Sequence, residues 1–294
     1  MEVGRFLMWK AVPFGSSIIK WLSGSLCSRF RRNGPLLLGL ATVIAIIMAL
    51  TLPRIAQDPG YHQFADHRSY MGIPHCLNVI SNLPFALLGY LGLRSVLRRN
   101  TLKSGAVIED RREQWSYSVF YLGMVLTGFG SAYYHLWPDH DRLVWDRLAM
   151  MVAFMSFLAT IISERISVRA GFLLLLPFLI TGVGTVVFWI AGEHRAMGDL
   201  RPYILAQYFP MLLIPIILLL FPSRYTKGGY ILAMLLLYSL AKIAEMHDGE
   251  IFSLGQVMSG HTLKHLLAGM AIYCHLRMLS RRIVRVHGVA GRGG

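Results

Sequence analysis

The chain has 294 residues, 55% of them hydrophobic and only 15% charged, with a mean hydropathy of +0.51. That composition excludes a water-soluble globule and points to a polytopic membrane protein, since each helical crossing of a bilayer needs about 20 mostly apolar residues. The net charge of +14 is not read as a nucleic-acid surface: the basic residues gather beside apolar segments, where anionic lipid headgroups attract them.

In chain order, residues 1–34 form a basic segment (Lys20, Arg29, Arg31, Arg32), within which Trp9–Leu26 is expected to lie along the inner interface as a short amphipathic helix. About eight candidate spans follow, near 36–53, 76–97, 115–135, 143–163, 170–191, 202–222, 229–246 and 260–279. The first is longer than a secretory signal core and shows no small-x-small cleavage site, so it reads as a retained signal anchor. Positive residues recur at Arg98, Arg99, Lys103, Arg111 and Arg112, at Arg224 and Lys227, and at Arg277, Arg281, Arg282 and Arg285. These fall on one side of the membrane, and the positive-inside rule makes that side the cytoplasm. Both termini are then cytoplasmic, and the loops at 54–74, 136–142, 192–201 and 247–259 lie outside. Cys27, Cys76 and Cys274 are odd in number and unspaced, so no structural disulfide is expected. With no internal repeat, the expected fold is one all-α polytopic membrane helical bundle: a transmembrane domain over 35–280, then a basic cytoplasmic tail over 281–294.

This topology fixes the depth of the polar residues. The third span runs outward and ends at Ser131 and His135; the fourth runs inward and begins with Asp146, eleven residues after His135. The eighth also runs inward and begins with His261 and His265. Residues at i and i+4 share a helix face, so each pair addresses one place, in the outer half of the membrane. The second span begins at the same depth with Asn78, Ser81 and Asn82 on one face. Such groups hydrogen-bond across helices in lipid or support a neighbouring site. Lys242 and Glu245 at the end of the seventh span are spaced to pair on one helix face.

Polar, ionisable groups at membrane depth are a functional hypothesis with a partner to be named. Three histidines and an aspartate suggest a metal, and three protein ligands with one open position characterise catalytic zinc. Zinc lowers the pKa of a coordinated water to about 7 and polarises carbonyls. Asp146 would shuttle a proton or orient a ligand histidine, and Ser131 would hydrogen-bond the water or a developing oxyanion. Haem held by His261 and His265 is the competing reading, but bis-histidine haem normally takes its ligands from facing helices and leaves Asp146 and Ser131 without a role.

These residues, Asn78-x-x-Ser81-Asn82, Ser131-x-x-x-His135, Asp146 and His261-x-x-x-His265, resemble the alkaline ceramidase family. Its members are integral-membrane amidases in a group that also includes adiponectin-type receptors. The resemblance covers about 60–280 and implies a seven-helix core preceded here by one extra N-terminal transmembrane helix. It implies His135, His261 and His265 as zinc ligands, Asp146 as proton acceptor and Ser131 as oxyanion or water partner, in hydrolysis of ceramide or a related lipid amide to a long-chain base and a fatty acid. The phrasing around Tyr61–Pro74 is similar to the bacterial branch, hence an expected bacterial inner membrane with the active site toward the outer leaflet. Eukaryotic members bind calcium through an acidic cluster; His75 stands where the family has a glutamate, and only Asp66 offers a clear oxygen ligand, so calcium is not expected. Two other functions compete: a receptor-like protein with structural zinc and little turnover, and a proton-coupled transporter using Lys242, Glu245 and Asp146, which would call for discontinuous helices and repeats that the sequence does not announce.

Overall fold

The computed structural model describes residues 25–98 and 108–285. The segment Trp9–Leu26, but for its last two residues, and the tail after Arg285 lie outside them. By its contacts the chain divides into Met1–Val43 and Ile44–Gly294. The described part of the first unit is the leading stretch of helix α1 (Ser25–Thr51), which has Pro35 inside it.

The second unit continues with a one-turn 3-10 helix (Pro59–His62), then α2 (Cys76–Ile80), α3 (Leu83–Leu97), α4 (Arg111–Leu136), α5 (His140–Arg165), α6 (Val168–Glu193), α7 (Arg201–Leu220), α8 (Gly229–Met246), α9 (Asp248–Ser253) and α10 (Gly260–Arg281). Among the described residues there is no β-strand, only the isolated bridges Tyr70–Ile73 and Tyr225–Val284. The protein is an all-α polytopic helical bundle, as the hydrophobic pattern predicts. The second span departs from that pattern by breaking at Ser81 and Asn82. Pro84 has no N–H to offer the Ile80 carbonyl, while the Ser81 hydroxyl (3.1 Å) and the Asn82 amide (2.7 Å) both donate to the Asn78 carbonyl.

Among the described residues, six helical segments are long and apolar enough to cross a membrane by length and composition. Helices α4 and α10, with 26 and 22 residues, have the length without the apolarity. They are the helices that carry His135 and the pair His261 and His265. Helix α5 is the centre: its N-cap Asp139 accepts from the Arg142 N–H at 2.7 Å, and every residue from Met155 to Glu164 is buried. A helix covered on all sides can be apolar all round. It packs against α4, α6 and α7, while α10 packs against α8, α3 and α2. The outward faces expose Leu87, Leu173, Leu176, Ile180, Leu212 and Leu236, a surface that suits lipid tails.

Two glycines bring the polar helix ends together. A Cβ on Gly130 would lie 2.6 Å from the Trp145 carbonyl oxygen, and one on Gly260 would lie 2.0 Å from that of Ala244. Close backbone approach through small residues is how membrane helices gain contact. Here it seats Ser131 against α5 and His261 beside the end of α8. At the opposite end of the bundle, Arg282 pairs with Glu164 and donates to the Tyr117 hydroxyl at 2.5 Å, and Tyr225 donates to Glu113 at 2.7 Å. These groups are buried, and a buried charge is tolerable only when so paired.

Gly260→Ala is expected to displace the start of α10 and destabilise the protein by about 1–3 kcal/mol. Gly184→Ala, with nothing within 4 Å of the added carbon, is expected to leave stability unchanged. Thermal unfolding in detergent checks both; equal melting temperatures for the two variants would contradict the close approach.

Candidate metal centre and hydrolytic site

His135 near the end of α4 and His261 and His265 in the first turns of α10 meet in the interior, all three buried, with one nitrogen of each within 4.8 Å of the others. The His135 and His261 Nε2 atoms are 3.2 Å apart. Zinc–nitrogen bonds of 2.0–2.1 Å in a tetrahedron put ligand atoms about 3.3 Å apart, so that spacing suits a shared ion.

Hydrogen bonds around the rings fix which nitrogens carry protons. The Ser81 hydroxyl gives its proton to the Asn78 carbonyl, so at 2.8 Å it accepts from His265 Nδ1–H, and His265 Nε2 is left bare. The Lys264 ammonium donates to His261 Nε2 at 2.8 Å, so that nitrogen carries no proton, and an ion bound to it takes the place of the lysine. His135 Nδ1 is buried with no partner. This donor set fits a metal ion that takes imidazole ligands.

The surroundings of the rings are built from α2, the 54–74 loop and the residues that lead into α10. Thr262 Oγ1 donates to Asn78 Oδ1 at 2.7 Å, and Ser259 caps α10 by accepting from the Thr262 N–H at 3.2 Å. Asp248 receives the His261 N–H at 2.7 Å and the Ala65 N–H at 2.8 Å, tying the 54–74 loop to the start of α10. Phe64 consequently sits edge-on to His135 and His261, with ring centroids 4.7 and 4.4 Å away. Asp66 is held by Arg68 through two bonds of 2.8 and 2.7 Å, which keep its carboxyl below the usual range. His75, at φ 46°, stacks edgewise on Phe64.

Ser131 and Asp146 are brought near each other across the α4–α5 contact, where a Cβ on Gly130 would lie 3.4 Å from the Asp146 nitrogen. With His265 they line one cavity of about 470 Å³, a volume usual for a small-ligand site. The rest of its wall is mostly apolar, including Phe120, Met124, Phe157, Met211 and Met234. Lys242 pairs with Glu245, and Lys264 joins the same carboxylate at 2.8 Å.

The region around this site is recognisable independently: residues 66–223, more than half of the chain, match the family model described as Ceramidase. The chain belongs to the Ceramidase family. Membership makes it, in general terms, an integral-membrane hydrolase of the ceramide-cleaving amidase kind. The matched interval holds Asn78, Ser81, Asn82, Ser131, His135 and Asp146 and stops before His261 and His265. No curated protein matches the chain.

Spacing on the helices singles out every residue of the histidine cluster. It does not single out Phe64, because the loop that delivers it has no periodicity. Lys264 was legible as i+3 from His261, on the same helix face. Arg147, a charge in the middle of an apolar span, also carried a signal of its own.

Outside the spans, His62 bonds Tyr134 at 2.9 Å and His140 at 2.8 Å. Its pKa is held below the ordinary value by partial burial, then by His140 and Arg147, with Asp139 opposing. The folded loop therefore favours neutral His62, whereas a released imidazole protonates near pH 6.5. Loop docking is present above that pH and weakens as pH falls below it. Amide exchange over 59–66, corrected for intrinsic rates, should be faster at pH 5.5 than at 7.5, and His62→Gln should remove the difference. Slower exchange at pH 5.5 would reverse the sign.

Proposed function

We propose that this chain is a zinc-dependent amidase that hydrolyses the amide of ceramide or a related lipid amide to a long-chain base and a fatty acid. The observation that carries the proposal is the meeting, on one wall of an apolar cavity, of His265 from the histidine cluster with Ser131 and Asp146. His135, His261 and His265 would hold the zinc, with Asn78, Ser81 and Asn82 supporting them. When bound, zinc supplies Lewis acidity toward the amide carbonyl and lowers the pKa of water to about 7.

The chain's own groups supply the remaining chemistry. Asp146 takes a proton from the attacking water and returns it to the amide nitrogen as the C–N bond breaks. Ser131 donates to the carbonyl oxygen as charge builds there. The water's oxygen stays on the acyl carbon, so the products are a carboxylic acid and an amine. The apolar cavity wall shelters the acyl chain and keeps stray water from the reacting bond. We also assign both termini to the cytoplasmic side of a bacterial inner membrane, with residues 1–34 and 281–294 as basic flanks of a 35–280 transmembrane domain. The active site then faces the outer leaflet. The alternation of basic and acidic loops supports this orientation.

The test measures metal content and fatty-acid release from a ceramide with protein purified free of chelators. Wild type should carry zinc at about one per chain and hydrolyse, and His261→Ala should lose both. Asp146→Asn should keep the zinc and lose activity by about 10²–10⁴-fold. Zinc with no hydrolysis, and an Asp146→Asn protein indistinguishable from wild type, would favour a receptor-like role instead. In a separate measurement, Ser81→Ala should weaken zinc affinity about 10–100-fold by freeing the His265 tautomer, read by competition against a chromogenic chelator. Unchanged affinity would remove Ser81 from the site.

A further inference from the structure

Arg147 follows Asp146 on α5, and the hydrolysis described above makes no use of it. Its side chain is 3% exposed and lines the cavity together with Gln57, Tyr61 and Tyr203. The guanidinium lies over the Trp189 ring at 4.1 Å and the Tyr203 ring at 4.6 Å, so its faces are covered by aromatics. One donor is used: Nη2 reaches Gln57 Oε1 at 2.6 Å. The Nε and Nη1 groups have no acceptor. Among the described residues no carboxylate lies within ion-pair range of Arg147.

The other cations on the cavity wall are Lys242 and Lys264, and both are engaged by Glu245. Arg147 is thus, among the described residues, the cation of this cavity with no carboxylate in contact, the adjacent Asp146 acting on it only through space. An unpaired guanidinium withdrawn from water is expensive, and its planar fork matches the oxygens of a carboxylate or phosphate. A neutral acceptor would satisfy its N–H groups but not its charge.

We infer that Arg147 is an oxoanion-binding residue of the cavity, taking either the acidic headgroup of an N-acyl lipid or the carboxylate of the released fatty acid. The inference rests on the amidase reading for the identity of its ligand, though not for the existence of the site. Gln57 and the Trp189 and Tyr203 rings hold the guanidinium in the cavity wall with its Nε and Nη1 groups unpartnered. A lipid whose amide lies at Ser131 and Asp146 would then present its acidic group to the residue next along α5.

Binding of dodecyl phosphate, dodecanoate and dodecanol to the full chain in a maltoside detergent tests this without requiring turnover. Wild type should bind at least one of the acids about tenfold or more tightly than the alcohol, the strength expected of a charge-assisted contact. Arg147→Met should bring the acids down to the alcohol's affinity, and Arg147→Lys should retain part of the preference. Preference for the phosphate identifies a substrate headgroup, and preference for the carboxylate identifies the product. Wild type binding all three alike would overturn the inference even if Arg147→Met failed to fold, and so would an acid preference that survives in Arg147→Met. Acid preference without ceramide hydrolysis would overturn the amidase reading alone, whereas hydrolysis without acid preference would overturn this inference alone.

Discussion

Three imidazole rings packed against one another out of water impose the constraint that the rest of the fold answers. Their centroids are 4.7, 5.0 and 4.9 Å apart, too close for three protonated rings and too buried for three hydrated ones. Each ring nitrogen needs a partner, and the neighbours supply some of them: Ser81 for His265 and Lys264 for His261. An ion shared by the three rings would take the place of Lys264 at His261 Nε2. The elements around the cluster serve its geometry. Gly260 lets α10 begin against the end of α8, Asp248 pins the His261 backbone, and the break in the second span turns Ser81 toward His265.

The bundle consequently has two polar ends with different tasks. Near α9 and the 54–74 loop, the polar residues converge on a cavity and are left partly unsatisfied, as at Arg147 and His135. At the other end Glu164, Arg282, Tyr117, Glu113 and Tyr225 bond to one another, with Glu113 Oε1, Ser116 Oγ and Ser163 Oγ left without a partner there. The second arrangement locks α4 and α5 to the chain after α10; the first leaves donors and lone pairs for a ligand. Helices α4 and α10 contribute to both ends, which is why neither holds an apolar stretch long enough to cross a membrane by composition. Their stability comes from packing on α5 and α8 rather than from lipid.

Much of this was legible in the sequence. Stretches of about 20 apolar residues locate the helices, and the i, i+4 pairs locate Ser131, His135, His261 and His265. The Lys242–Glu245 pair follows from its spacing and is present. The break at Ser81 and Asn82 was less legible, because it depends on side chains competing for the Asn78 carbonyl as well as on Pro84. Phe64 and His62 were not legible, since an irregular loop has no period to reveal which side chain points inward. Glu245 as the carboxylate shared by two lysines required the packing of α8 on α10. That contact lies between helices and leaves no mark on either alone.

The most direct measurement of the central claim is X-ray absorption at the zinc edge on protein purified free of chelators. Four nitrogen or oxygen scatterers near 2.0 Å, three of them imidazoles by their outer-shell scattering and fewer in His135→Ala, is the result this structure leads to. A sulfur-containing shell, or a bound metal whose spectrum ignores the loss of His135, would contradict the assignment of the cluster as the metal centre.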